Sequence, residues 1–139
     1  MFMGTALHNV DAKGRVFIPS KFRSEMGSSL IVCRSPDGCV RAYIPDEWKK
    51  VADAYSLTNV KMLRLRRRLF ASAEQVDLDS QGRILLPEEL RTSMGITDKV
   101  RIVGVDKWME FWDPARYDEV MDADDGTDEL ALLLEAGLT

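Results

Sequence analysis

A ten-residue segment occurs twice in this chain, and that repeat limits the possible folds more than any other feature. Val10-Asp11-Ala12-Lys13-Gly14-Arg15-Val16-Phe17-Ile18-Pro19 reads against Leu78-Asp79-Ser80-Gln81-Gly82-Arg83-Ile84-Leu85-Leu86-Pro87 at an offset of 68, with Asp, Gly, Arg and Pro in the same places. The register continues through Phe22/Leu90, Arg23/Arg91, Met26/Met94 and Gly27/Gly95, then resumes at an offset of 69 with Asp37/Asp106, Pro45/Pro114 and Val51/Val120. A colinear series of this length marks a duplication, here with one inserted residue.

Each copy carries the same punctuation. The Asp-x-x-Gly segment predicts a turn in which Gly14 or Gly82 supplies positive φ, and the Arg-Val-Phe-Ile or Arg-Ile-Leu-Leu that follows predicts the returning strand of a β-hairpin. Pro19 and Pro87 stop that strand. Phe22/Met26 and Leu90/Met94, spaced i, i+4, predict a short core-facing helix. A second hairpin follows in each copy, over 30–34 and 39–44 around Ser35-Pro36-Asp37-Gly38, and over 99–105 and 108–112 around Asp106-Lys107. Pro45 and Pro114 sit where a first helical turn tolerates proline, opening helices over 46–55 and 115–121.

The expected organisation is a first repeat over 5–55, a basic linker helix over 56–73, a second repeat over 74–120 and an acidic tail over 121–139. In the linker, which opens with the polar pair Thr58-Asn59, Met62, Leu65 and Leu69 form one apolar stripe while Arg64, Arg67 and Arg68, with Arg66 beside them, gather on another side. In the tail an acidic stretch of disordered composition precedes a short helix over the leucines from Leu130, whose order depends on a partner surface.

One hairpin with one short helix is marginal alone, because it cannot bury both faces of its strands. Two such hairpins interleaved about a pseudo-two-fold axis solve the problem within one chain. The fold class expected is therefore α+β, mainly β: two tandem swapped-hairpin repeats closing a small barrel, with short flanking helices. Trp48, Trp108 and Trp112 beside Phe111 are either ordinary core or a surface for lateral self-association.

The net charge of −4 over 139 residues conceals two opposite halves. Residues 1–70 hold 13 Lys and Arg against 6 Asp and Glu, and residues 71–139 hold 6 against 17. A basic first half suits phosphate, and an acidic end limits non-specific contacts, pairs with basic patches or keeps an assembly soluble. Neither a membrane-length apolar run nor the order of a secretory signal is present, which points to the cytoplasm. Cys33 and Cys39 flank one turn and could face each other across it, although cytosolic thiols are usually reduced. His8 has no second histidine or nearby cysteine, so neither a metal nor a cofactor is expected. No Ser/His/acid or Cys/His set and no phosphate-cradling glycine loop supports an enzyme or a small-molecule substrate.

Asp11-Ala-Lys-Gly-Arg15 and Asp79-Ser-Gln-Gly-Arg83, each followed by apolar residues and Pro, resemble the loop-hinge hairpin of AbrB-type regulators. The closer likeness is to the MraZ family. It rests on Met1-Phe2-Met3-Gly4, Arg67-Arg68-Leu69-Phe70, Gln81-Gly-Arg-Ile-Leu-Leu-Pro87 and Trp112-Asp-Pro, and it spans nearly the whole chain. The resemblance implies a ring-forming, nucleoid-associated regulator that binds double-stranded DNA at short direct repeats upstream of its own division and cell-wall operon. It also implies that the Asp11 to Arg15 motif lies on the DNA-facing surface.

The residues themselves grade the site. Lys13 and Arg15 flank a glycine at a hairpin tip, where two cations reach adjacent phosphates or one arginine reads guanine. Asp11 would repel DNA and is read as structural. Lys21 and Arg23 add backbone contacts, although the Arg23/Arg91 match hints at a structural role common to both copies. Around Asp79 and Arg83 the local charge is less favourable, with Gln81 at the tip and Asp77 adjacent, so these two are structural or subunit-contacting first and DNA contacts second. Arg64, Arg66, Arg67 and Arg68 either bind DNA or meet acidic groups, including those of another subunit. Two other functions fit the same fold: a protein-interaction or antitoxin-like scaffold, and a sequence-blind nucleoid binder.

Overall fold

The computed structural model describes residues 1–56 and 59–139, with Ser56 described by its backbone alone; Thr58, at the expected start of the linker helix, lies outside them. The first copy supplies β1 (Phe2–Asn9), β2 (Arg15–Phe17), α1 (Ser20–Arg23), β3 (Ser29–Arg34), β4 (Val40–Tyr43) and α2 (Pro45–Ser56). A 3-10 turn at Val60–Met62 and α3 (Leu63–Ser72) lead into the second, with β5 (Glu74–Asp77), β6 (Arg83–Leu85), α4 (Glu88–Ser93), β7 (Lys99–Asp106), β8 (Trp108–Trp112) and α5 (Pro114–Asp122). The chain ends with α6 (Glu129–Glu135).

The arms of the first predicted hairpin do not pair with each other. β1 pairs with β7, β5 with β3, and β2 with β6, every ladder antiparallel and every one of these three joining the two copies. Only the turn closes locally, where the Asp11 N–H donates to the Arg15 carbonyl at 3.0 Å and the Asp79 N–H to that of Arg83 at 2.8 Å. Crossing over is favoured because an isolated hairpin would leave Val16 or Ile84 wet, whereas in the exchanged ribbon they are 0% and 1% exposed.

The result is a six-stranded sheet in the order β1-β7-β8-β4-β3-β5, palindromic about the β4–β8 seam, and a two-stranded ribbon of β2 and β6. The ribbon packs beside β1 at one edge and β5 at the other, so the two sheets enclose a single core. Phe22, Leu30, Ile84, Leu86, Ile102 and Phe111 from both copies meet there. The fold is α+β with the strands framing the core.

The strand register corrects the single insertion expected between the copies. Asn9 pairs with Lys99 and Asp77 with Ser29, so β1 and β5 are offset by 68 while β3 and β7 are offset by 70. Val40 opposite Phe111 and Ala42 opposite Met109 set β4 and β8 at 69. Two residues are therefore gained before β7, and one is lost in the tight β7–β8 turn, where Asp106 adopts φ 56°.

The stripe of Met62, Leu65 and Leu69 is partly covered, with Met62 and Leu69 half-buried. α3 has no buried residue, and Leu65 is 45% exposed. The two cysteines are free and buried but do not face each other: Cys33 lies opposite Arg41, and the Cys39 carbonyl accepts from Ser35. Phe111 and Trp112 belong to the buried set, while Trp48 and Trp108 are half-buried on either side of Tyr43. Every residue from Asp118 to the end is exposed. Among the described residues no helix is long and apolar enough to cross a membrane.

Candidate nucleic-acid interface

The two Asp-x-x-Gly-Arg turns emerge from opposite ends of the β2–β6 ribbon, because Arg15 pairs with Leu85 and Phe17 with Arg83. Each turn is built by its aspartate. One Asp11 oxygen accepts the N–H groups of Lys13 (3.0 Å) and Arg15 (2.8 Å), and the other accepts Arg15 Nε at 2.6 Å. Asp79 repeats the pattern with Gln81 (2.9 Å), the Arg83 N–H (3.0 Å) and Arg83 Nε (2.7 Å). These bonds, the backbone N–H of the arginine foremost, hold both carboxyls below the ordinary aspartate range. Gly14 and Gly82 take φ of 88° and 82°.

Alternation along the ribbon turns Val16 and Ile84 inward and leaves Arg15, Phe17, Arg83 and Leu85 on one outward face. Phe17 and Leu85 are 47% and 53% exposed there. The two arginines differ in freedom. Arg83 lies over the Phe17 ring at 5.7 Å and its side chain is 17% exposed, whereas Arg15, opposite an aliphatic leucine, is 34% exposed. Lys13 is exposed at the tip and makes no ion pair among the described residues.

Each turn is roofed by an arginine from the other copy. A Cβ placed on Gly14 would lie 2.8 Å from Nη2 of Arg91 on α4, and one on Gly82 would collide with Nη1 of Arg23 on α1. Arg23 therefore sits with Arg83 at the far end of the ribbon, and the cation that joins Lys13 and Arg15 is Arg91. Lys21 lies apart from both tips, its ammonium 5.4 Å from the Phe22 ring and beside Gly4 of β1. Arg64, Arg66, Arg67 and Arg68 are on α3, which packs on β3 of the large sheet, and Arg68 lines a cleft with Pro87, Glu89 and Leu90 at the start of α4. Sequence reasoning did not name Arg91, Phe17 or Leu85 as part of this surface. The Arg23/Arg91 match was the signal for the first, and strand alternation for the other two.

The arrangement is a two-ended ribbon with cations at its tips and an apolar middle. A two-stranded ribbon fits the major groove, where arginine reads guanine and apolar groups meet thymine methyls. Among the described residues no group of three or more His, Cys, Asp or Glu is placed to hold a metal ion.

The family model described as "MraZ protein, putative antitoxin-like" matches residues 1–65 and 69–129. The chain is 40% identical to the transcriptional regulator MraZ of Acetivibrio thermocellus over 141 residues, covering 96% of this chain and 99% of that one. It is 39% identical to the protein of the same name in Pediococcus pentosaceus, covering 99% of this chain and all of the relative. The corresponding protein of Ligilactobacillus salivarius is 36% identical, with 94% of each chain covered.

Proposed function

The chain belongs to the MraZ family, and from that premise we propose that it is a transcriptional regulator working in the cytoplasm on the nucleoid, which reads DNA with the outward face of the β2–β6 ribbon. The target is double-stranded DNA carrying short direct repeats upstream of its own division and cell-wall operon, engaged by a ring of identical subunits. Lys13 and Arg15 make the principal contacts, with Arg91 beside them. Arg83 and Arg23 form a weaker second tip. The observation that carries this is the free Lys13 next to an Arg15 whose guanidinium Asp11 aims outward and leaves one-third exposed.

Asp11 has a positioning role. It fixes the arginine by a charge-assisted bond, so less side-chain freedom is lost when the arginine meets a base or phosphate. A ring that presents one such tip per subunit to repeated sites gains affinity by effective concentration.

The double variant Lys13→Ala/Arg15→Ala tests this. Loss of two phosphate-range cations should weaken binding at least tenfold and reduce the slope of log affinity against log salt by about 2 for each subunit engaged. Thermal unfolding should show a folded variant, with a midpoint lowered only by loss of the part-exposed Arg15–Asp11 ion pair, and the assembly mass should stay at the wild-type value. Wild-type affinity and salt slope in the variant would contradict the proposal.

A further inference from the structure

Two open surfaces of this chain are both apolar and carry opposite charge. The first is a groove between α2 and α3. Pro36, Tyr55, Leu65 and Leu69 floor it, Arg34 and Arg68 rim it, and it runs on along α2 into a cleft of about 380 Å³. Residues 61–68 hold five cations and no acid. Among the described residues none of Arg64, Arg66, Arg67 and Arg68 has an ion-pair partner.

The second surface is α6. Its start is capped by Asp128, which accepts the Ala131 N–H at 3.1 Å. Leu130, Leu133 and Leu134, spaced i, i+3, i+4, are 61%, 42% and 58% exposed. A helix this short is well below the roughly 12 residues at which isolated helices become even marginal, so its order depends on a surface to pack against. From Asp118 onward the chain holds eight acids and no Lys or Arg. By the internal symmetry α6 follows α5 as α3 follows α2, yet α3 packs on β3 while every residue of α6 is exposed.

The geometry points to the α2–α3 groove of one copy as the seat for α6 of a neighbouring copy, with the leucines on the apolar floor and the acids against Arg34, Arg64, Arg67 and Arg68. This rests on the reading that the protein acts as an assembly, and adds which surfaces join. Such a contact is heterologous: each copy offers one tail and one groove, so copies join head to tail and close a ring when the rotation permits.

The test is the mass in solution, by sedimentation, of the full chain and two variants, Leu130→Ser/Leu133→Ser/Leu134→Ser and Arg64→Glu/Arg68→Glu. All five changes are outside the buried core, and thermal unfolding confirms that each variant is folded. Wild type should assemble and each variant alone should run as a single chain. An equimolar mixture should stop at two chains, because only one intact tail and one intact groove remain. Either variant assembling to the wild-type mass, or the mixture remaining single chains, overturns the docking while the assembly reading stands. A wild type that is a single chain overturns both.

Discussion

Asp11 and Asp79 each accept three hydrogen bonds, and the same bonds that shape the turns make the turns sensitive to acid. Both carboxyls titrate below the ordinary aspartate value of about 3.9. Their contribution to stability is therefore complete above that value and is lost as pH falls through the folded-state value. Thermal unfolding of Asp11→Asn/Asp79→Asn should show a lower midpoint than wild type at pH 7 and a shallower decline as pH falls below about 4; parallel curves would contradict this. A second residue-scale expectation concerns the thiols. Burial pushes Cys33 and Cys39 up to about 12, so at pH 8 alkylation of the folded protein should be at least a hundredfold slower than after denaturation. Equal rates would show that the β3–β4 hairpin opens readily. The structural role of Asp11 was legible in the sequence, since a carboxylate at a cationic tip has few other uses. The placing of Arg91 over Gly14 was not, because nothing local in the sequence says that α4 of one copy roofs the turn of the other.

At the scale of elements, turns and periodicity read well and partners read poorly. Pro19, Pro45, Pro87 and Pro114 each mark a true boundary, and the second hairpins pair within themselves as their spacing predicts. β2 and β6 are three residues long, too short for a pattern to specify which strand they join. Exchange followed instead from an argument about burial. The offset of 70 between β3 and β7 was invisible because no identical residues mark it there. Since each ladder between the copies depends on both, the chain should unfold as one unit. Phe22, 1% exposed and edge-on to Phe2 at 5.6 Å, belongs to the shared core. Phe22→Ala should cost about 3–5 kcal/mol in a denaturant titration and leave a single transition. A biphasic curve, with one half unaffected, would show that the copies are separable.

Over the whole molecule, the division of charge is the feature that the fold makes useful. Six of the thirteen cations of the first half lie at the ribbon tip (Lys13, Arg15) and on α3 (Arg64, Arg66, Arg67, Arg68), while eight of the seventeen acids of the second half lie in the exposed segment from Asp118 onward. A surplus of anions elsewhere does not forbid DNA at the tip, because charges more than about 8 Å apart in solvent are largely screened at physiological salt. The central claim is that this chain reads repeated DNA through the ribbon. Footprinting the purified protein on the DNA upstream of its own gene, across a salt series, tests it most directly. The account predicts protection at evenly spaced short repeats, weakening together as salt rises and disappearing with Lys13→Ala/Arg15→Ala. Uniform protection without repeats, or repeat protection that the double variant leaves intact, would contradict it.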